Sequence, residues 1–321
     1  MPDFYFEHQL EARGSRAPFV GRSPILNFII LNIIASLVAS IPPAVYTGVS
    51  SLGRYFDAIR TYGSDDIGLA GEIEAIFASI YTRDAYMIIS LLSQAALIAA
   101  AMFYCRVFEK RSLRSMGLVV RGAIPHYLLG FLIGGAMLAV SLAPAIIFGT
   151  VDYVGTGDFS VGIILLFLLG YIIQGAAEEI FVRGYFMVSY SASRSLHSSV
   201  LVSSILFTIL HLGNSGSNVV SLINTFLFGT FLAYYFIRTK SIFGACAIHT
   251  AWNFTQGHIF GLSVSGMPTY DSFFRFAPVG NLSVLNGGTY GIEGSIFTTV
   301  VLLALTLLFM LVPPKREYVE I

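Results

Sequence analysis

Six polar residues sit where an apolar sequence gives them no obvious company. Glu178 and Glu179 follow a run from Val161 to Ala177 that carries no charge, and Arg183 comes four residues later. His211 closes the apolar run Phe207-Thr208-Ile209-Leu210-His211. His249 and Asn253 lie four apart in a third such run, on one helical face. On a helix Glu179 and Arg183 are separated by about 40°, so they can pair, whereas Glu178 lies about 140° from Arg183. Glu178 is therefore expected to lack a local partner, and a buried unpaired carboxylate is placed to act as base or acid. A carboxylate, two imidazoles and an amide around a wet cavity suit hydrolysis: a base deprotonates water and donors stabilise the tetrahedral oxyanion. Alternatively, Glu178, His211 and His249 hold a divalent metal such as zinc, which lowers the pKa of bound water. The helical zinc-protease motif His-Glu-x-x-His is absent. The plainer alternatives are a structural ion pair that locks helices and ordinary core histidines.

These residues need helices in lipid to hold them. The 321 residues hold 18 Lys+Arg against 18 Asp+Glu, and charged residues reach only 11% where hydrophobic ones reach 55%. Mean hydropathy is +0.76. That composition excludes a disordered chain, a nucleic-acid binder driven by net charge and an ordinary cytosolic enzyme. The expected fold is an all-α polytopic membrane helix bundle of about eight transmembrane helices, with the lipid bilayer as partner. The expected spans are Pro24–Gly48, Tyr86–Cys105, Pro125–Gly149, one from Val161 through the Glu178 region, Ser198–Leu212, Val219–Ile237, Ser241–Phe260 and Gly294–Pro313. One membrane domain, 24–313, then lies between an N-terminal segment, 1–23, and a tail, 314–321.

With eight spans, 14 of the 18 Lys+Arg fall on the side of the termini and four, Arg54, Arg60, Arg83 and Arg275, on the other. The excess predicts that both termini are cytoplasmic. Outside, Ile67, Ala70, Ile73, Phe77 and Tyr81 form a helical stripe, read as an amphipathic helix on the interface. Ser263 to Gly291, rich in Gly, Pro and aromatics, reads as a packed loop with a weak sequon at Asn281. Residues 1 to 23 do not read as a signal peptide, and the C-terminal residues hold no lipidation cysteine. Cys105 and Cys246, both in apolar runs, read as buried hydrophobes. If the fourth and fifth spans form a hairpin, Glu178 and His211 are equally deep when the turn centres near residue 194, in Ala192–His197. Each is then about 20 Å from that turn, and His249 is about 14 Å beyond Lys240. The three can converge in a cavity that opens toward the cytoplasmic turns.

The ordered set Glu178-Glu179-x-x-x-Arg183, Phe207-x-x-x-His211 and His249-x-x-x-Asn253 resembles the type II CAAX prenyl endopeptidase and bacteriocin-processing membrane protease family. The resemblance covers roughly residues 110 to 260, with Arg111-Ser112-Leu113-Arg114-Ser115-Met116-Gly117-Leu118 as its leading edge. It implies an eight-helix intramembrane endopeptidase in a cell membrane, or in the endoplasmic reticulum of a eukaryote, acting on a membrane-associated peptide or lipidated protein. It implies Glu178 as general base, His211 sharing its water, and His249 and Asn253 as oxyanion stabilisers. Glu179, Arg183 and Phe207 would support the site. Two other classes use the same polarity: a proton-coupled transporter, against which no inverted repeat is visible, and a non-catalytic immunity or scaffold protein.

Overall fold

The computed structural model describes residues 23–63, 66–81, 84–157 and 159–311. The expectations for residues 1–22, Arg83 and 312–321 lie outside these. Every expected apolar stretch forms a helix. In chain order these are α1 (Pro24–Tyr62), α2 (Asp66–Tyr81), α3 (Asp84–Val107), α4 (Ala123–Ile147), α5 (Val161–Ser191), α6 (Leu196–Leu210), α7 (Val219–Thr239), α8 (Ile242–Phe254) and α9 (Ile296–Leu311). The fold is all-α, and α1, α3, α4, α5 and α7 are long and apolar enough to cross a membrane. The shorter α6 and α9 are also apolar. A small antiparallel ribbon pairs β1 (Val151–Thr156) with β2 (Phe274–Pro278), adding local structure to the expected packed loop.

α8 is the central post. All its residues from Gly244 to Phe254 are buried, and it packs on α4 and α5. α7 packs on α6 and α9. Close approach of α4 to α8 depends on two glycines four residues apart. A Cβ on Gly130 would lie 2.4 Å from the Gly244 carbonyl oxygen, and one on Gly134 would lie 2.3 Å from that of Ile248. Small residues at this spacing let helix backbones touch where lipid supplies no hydrophobic drive to associate.

The first two helices differ from expectation. α1 does not stop near Gly48 but runs to Tyr62, 39 residues in all and about 58 Å, well beyond a hydrocarbon core of about 30 Å. Arg54, Asp57 and Arg60 end the apolar stretch without ending the helix, because charge restricts membrane residence and not helix formation. α2 folds back onto this extension. Ile76 and Ile80 are buried against Ala58, and Arg54 donates to the Ser79 hydroxyl at 2.6 Å. Of the expected stripe, Ile67, Ala70 and Phe77 are exposed and Ile73 is half-buried. The neighbouring face won because α1 offers a helix surface to pack on.

Local signals set the ends of the helices around the polar residues. The Ser195 side chain accepts from the Ser198 N–H at the start of α6. At the start of α7 the Asn218 carboxamide accepts from Val220 and Ser221, while the Ser221 hydroxyl accepts from the Asn218 N–H. Arg111 of the expected leading edge is buried. It donates to Glu109 at 2.6 Å, Ser115 at 2.6 Å and Ser189 at 2.9 Å, fastening the α3–α4 connection to the end of α5.

Candidate active site

α5 carries the two acids at the point where its winding changes. Residues Val161–Glu179 are α-helical and Ile180–Met187 form a π-helix whose residues are all buried. π-turns recur at functional sites because the wider turn re-aims side chains. Arg183 Nη1 donates to Glu179 Oε1 at 2.9 Å, as the four-residue spacing predicts, and both side chains are fully buried. The Arg183 guanidinium also lies 4.2 Å over the Phe207 ring. Glu179 Oε1 accepts a second bond, from His249 Nδ1 at 3.0 Å. One carboxylate thus joins α5 to α8. The helices meet this closely at Gly175, where a Cβ would lie 2.9 Å from the Thr250 hydroxyl oxygen.

Glu178 points elsewhere. Its Oε1 accepts from Gln174 Nε2 at 2.6 Å, a local partner that the spacing argument missed. Its Oε2 is buried and makes no hydrogen bond among the described residues. That oxygen lies 3.8 Å from His211 Nε2 and 3.9 Å from His249 Nε2. These gaps exceed a direct hydrogen bond and match groups that share one water. The hairpin arithmetic holds: α5 ends at Ser191 and α6 begins at Leu196, so Glu178 and His211 face each other.

The remaining bonds fix orientations. His211 Nδ1 lies 2.8 Å from the Phe207 carbonyl, which can only accept, so Nδ1 carries a proton and Nε2 faces Glu178. His249 Nδ1 is likewise committed to Glu179, leaving Nε2 for the cavity. Gln174 Oε1 accepts from Asn253 Nδ2 at 2.9 Å. Because its other end must donate to a carboxylate, the Gln174 amide has one consistent orientation and links Glu178 to Asn253. Glu178, His211, His249, Asn253 and Phe207 all line a cavity of about 600 Å³. Glu179 and Arg183 do not line it and stand behind it.

Two features depart from the sequence reading. The cavity is bounded by Asn214, Ser215 and Ser265–Met267, at the opposite end of the bundle from the Ala192–Ser195 and Lys240–Ser241 turns. α6 and α8 carry His211 and His249 away from the Ala192–Ser195 and Lys240–Ser241 turns, and the expected opening toward those turns is not what the lining describes. The metal reading of Glu178, His211 and His249 also finds no support. Among the described residues, no group of three or more His, Cys, Asp or Glu side chains is arranged to hold an ion.

Glu293 has no signal in the sequence pattern, because its partners Trp252 and Ser265 lie 41 and 28 residues away. Its Oε2 accepts from Trp252 Nε1 at 3.1 Å, and its Oε1 accepts from the Ser265 hydroxyl at 2.9 Å and the Ser265 N–H. Burial raises its pKa above the ordinary carboxylate range, opposed by the Trp252 and Ser265 donors. Ser265 and Gly266 are the tip of a tight hairpin closed by Val264 and Met267, with positive φ at both central residues. The tip forms one wall of the cavity, and Glu293 clasps it to α8 beside Asn253.

Comparison with known families finds one similarity, and it covers the segment that carries this geometry. Residues 160–255 match the type II CAAX prenyl endopeptidase Rce1-like family. The matched stretch runs from the start of α5 to the end of α8 and holds Glu178, Glu179, Arg183, Phe207, His211, His249 and Asn253. The motif resemblance and the family match agree, and the family is one of membrane proteases. α1–α4, the hairpin tip and Glu293 lie outside the match. No curated protein matches the chain.

Proposed function

We propose that the protein is an intramembrane endopeptidase that hydrolyses a peptide bond in a membrane-associated substrate of the prenylated CAAX type. The observation that carries this reading is the free Glu178 Oε2 at 3.8 and 3.9 Å from two imidazole nitrogens, inside the cavity and the matched family segment. Glu178 takes a proton from a water that His211 Nε2 also holds, and the resulting hydroxide attacks the scissile carbonyl. His249 donates from Nε2 to the developing oxyanion. To do so while Nδ1–H stays on Glu179 it carries both protons, with Nδ1–H directed at the Glu179 carboxylate. Asn253, held by Gln174, supplies a second donor. Glu178 then returns its proton to the leaving amine. No step draws on a metal. The eight-span topology with both termini in the cytoplasm belongs to the same proposal, supported by a helix at each of the eight expected apolar stretches and by the distribution of basic residues.

Cleavage of an S-farnesylated C-terminal peptide by the purified protein in detergent tests this. Glu178→Gln and His211→Ala are each expected to lower kcat by about 10³-fold or more, with folded yield unchanged and wild-type activity resistant to chelator. Both variants retaining wild-type activity would sink the mechanism. Uptake of a solute driven by a proton gradient and lost in Glu178→Gln would favour a transporter.

A further inference from the structure

The cavity is lined on its far side by helices the family match does not reach. α1 contributes Asn32, Ser36, Ala39, Ser40 and Pro43, and α3 contributes Ser90 and Gln94. On α1 the polar members fall at intervals of four, one strip on a helix whose other faces are apolar and exposed. Ser40 and Ser90 bond to carbonyls of their own helices. No hydrogen bond engages the side chains of Asn32, Ser36 or Gln94 among the described residues.

Backbone groups add to this polarity. Pro43 has no N–H, so the Ala39 carbonyl four residues earlier loses its helical donor, and both residues line the cavity. α3 breaks at Gln94, whose N–H bonds three residues back to Leu91 rather than four. Polar groups at membrane depth are expensive unless they find partners, and these converge on one cavity opposite Glu178. The set offers acceptors and donors in a line, which is what an extended backbone needs.

We infer that the strip of Asn32, Ser36 and the Ala39 carbonyl on α1, with Gln94 on α3, binds the main chain of an extended peptide segment across from Glu178. This rests on the peptidase reading above. Asn32 to Pro43 covers about 16 Å of helix, which matches about five extended residues. The recognised chemistry is the peptide backbone, so side-chain identity along the segment matters little and main-chain N–H groups matter much.

The test uses the full chain, a fluorescein-labelled S-farnesyl octapeptide, and the same peptide with one amide near the scissile bond replaced by an ester. Asn32→Ala and Gln94→Ala are each expected to raise KM about tenfold, the loss of one hydrogen bond, with kcat within about twofold. Wild type is expected to bind the ester peptide more weakly, and Asn32→Ala,Gln94→Ala to discriminate less between the two. Unchanged KM in both variants, or equal affinity of wild type for ester and amide peptides, overturns the inference while leaving the peptidase intact. Binding is measured in parallel on Glu178→Gln. If wild type cleaves nothing but slot substitutions still weaken binding there, the slot stands and the peptidase reading falls. No binding of the octapeptide to Glu178→Gln overturns the slot.

Discussion

At the residue scale, the two adjacent acids divide the work of the site. Glu179 is consumed by structure, holding Arg183 and His249 from one buried oxygen, and Glu178 keeps one oxygen without a hydrogen bond among the described residues, the oxygen that the proposed mechanism uses. Glu179→Ala and Arg183→Ala should therefore lower folded yield as well as activity, because each strands a buried partner at a cost of about 3–5 kcal/mol. Thermal unfolding in detergent checks this: both should melt well below wild type while Glu178→Gln melts close to it. Local spacing alone separated these two roles, since it fixes angles around a helix. It missed Gln174, the one amide in an apolar run, because a search for charges passes over a neutral side chain that can still donate to Glu178.

Elements bring these residues together through close contacts rather than bulk apolar packing. α4 meets α8 at Gly130 and Gly134, so Gly134→Leu should push α8, with His249 and Asn253, off α5. Thermal melting and peptidase activity are expected to fall together in that variant, and unchanged values for both would contradict the close-contact account. The 264–267 hairpin makes a second prediction. Three donors converge on Glu293, and an amide offers one acceptor oxygen where a carboxylate offers two. Glu293→Gln should loosen the tip and speed amide exchange at 264–267 by about tenfold, with exchange in α7 unaffected. Equal exchange in variant and wild type would refute the clasp. The eight apolar stretches, the α5–α6 hairpin and the depth match of Glu178 with His211 were legible because period and length are local. The α1 extension was not, since hydropathy reports lipid residence and not helix length. Nor was the clasp, because Trp252, Ser265 and Glu293 are joined only by tertiary structure.

For the whole molecule, the segment α5–α8 that resembles the family carries the groups proposed to react, and α1 and α3 line the cavity opposite them. The charge-poor composition pointed to the membrane, and the few polar groups left in the helices mark where it is breached. The strip on α1 has no signature in the sequence, because single Asn and Ser residues vanish in a hydropathy average and gain meaning only beside Glu178. The central claim is that Glu178 activates a water molecule for attack on a peptide bond. Mass spectrometry of the cleaved S-farnesyl peptide after reaction in H₂¹⁸O tests it most directly. The account predicts one ¹⁸O in the new C-terminal carboxylate formed by wild type and no labelled product from Glu178→Gln. Wild-type labelling rates in the Glu178→Gln variant, or a wild-type product formed without ¹⁸O, would contradict it.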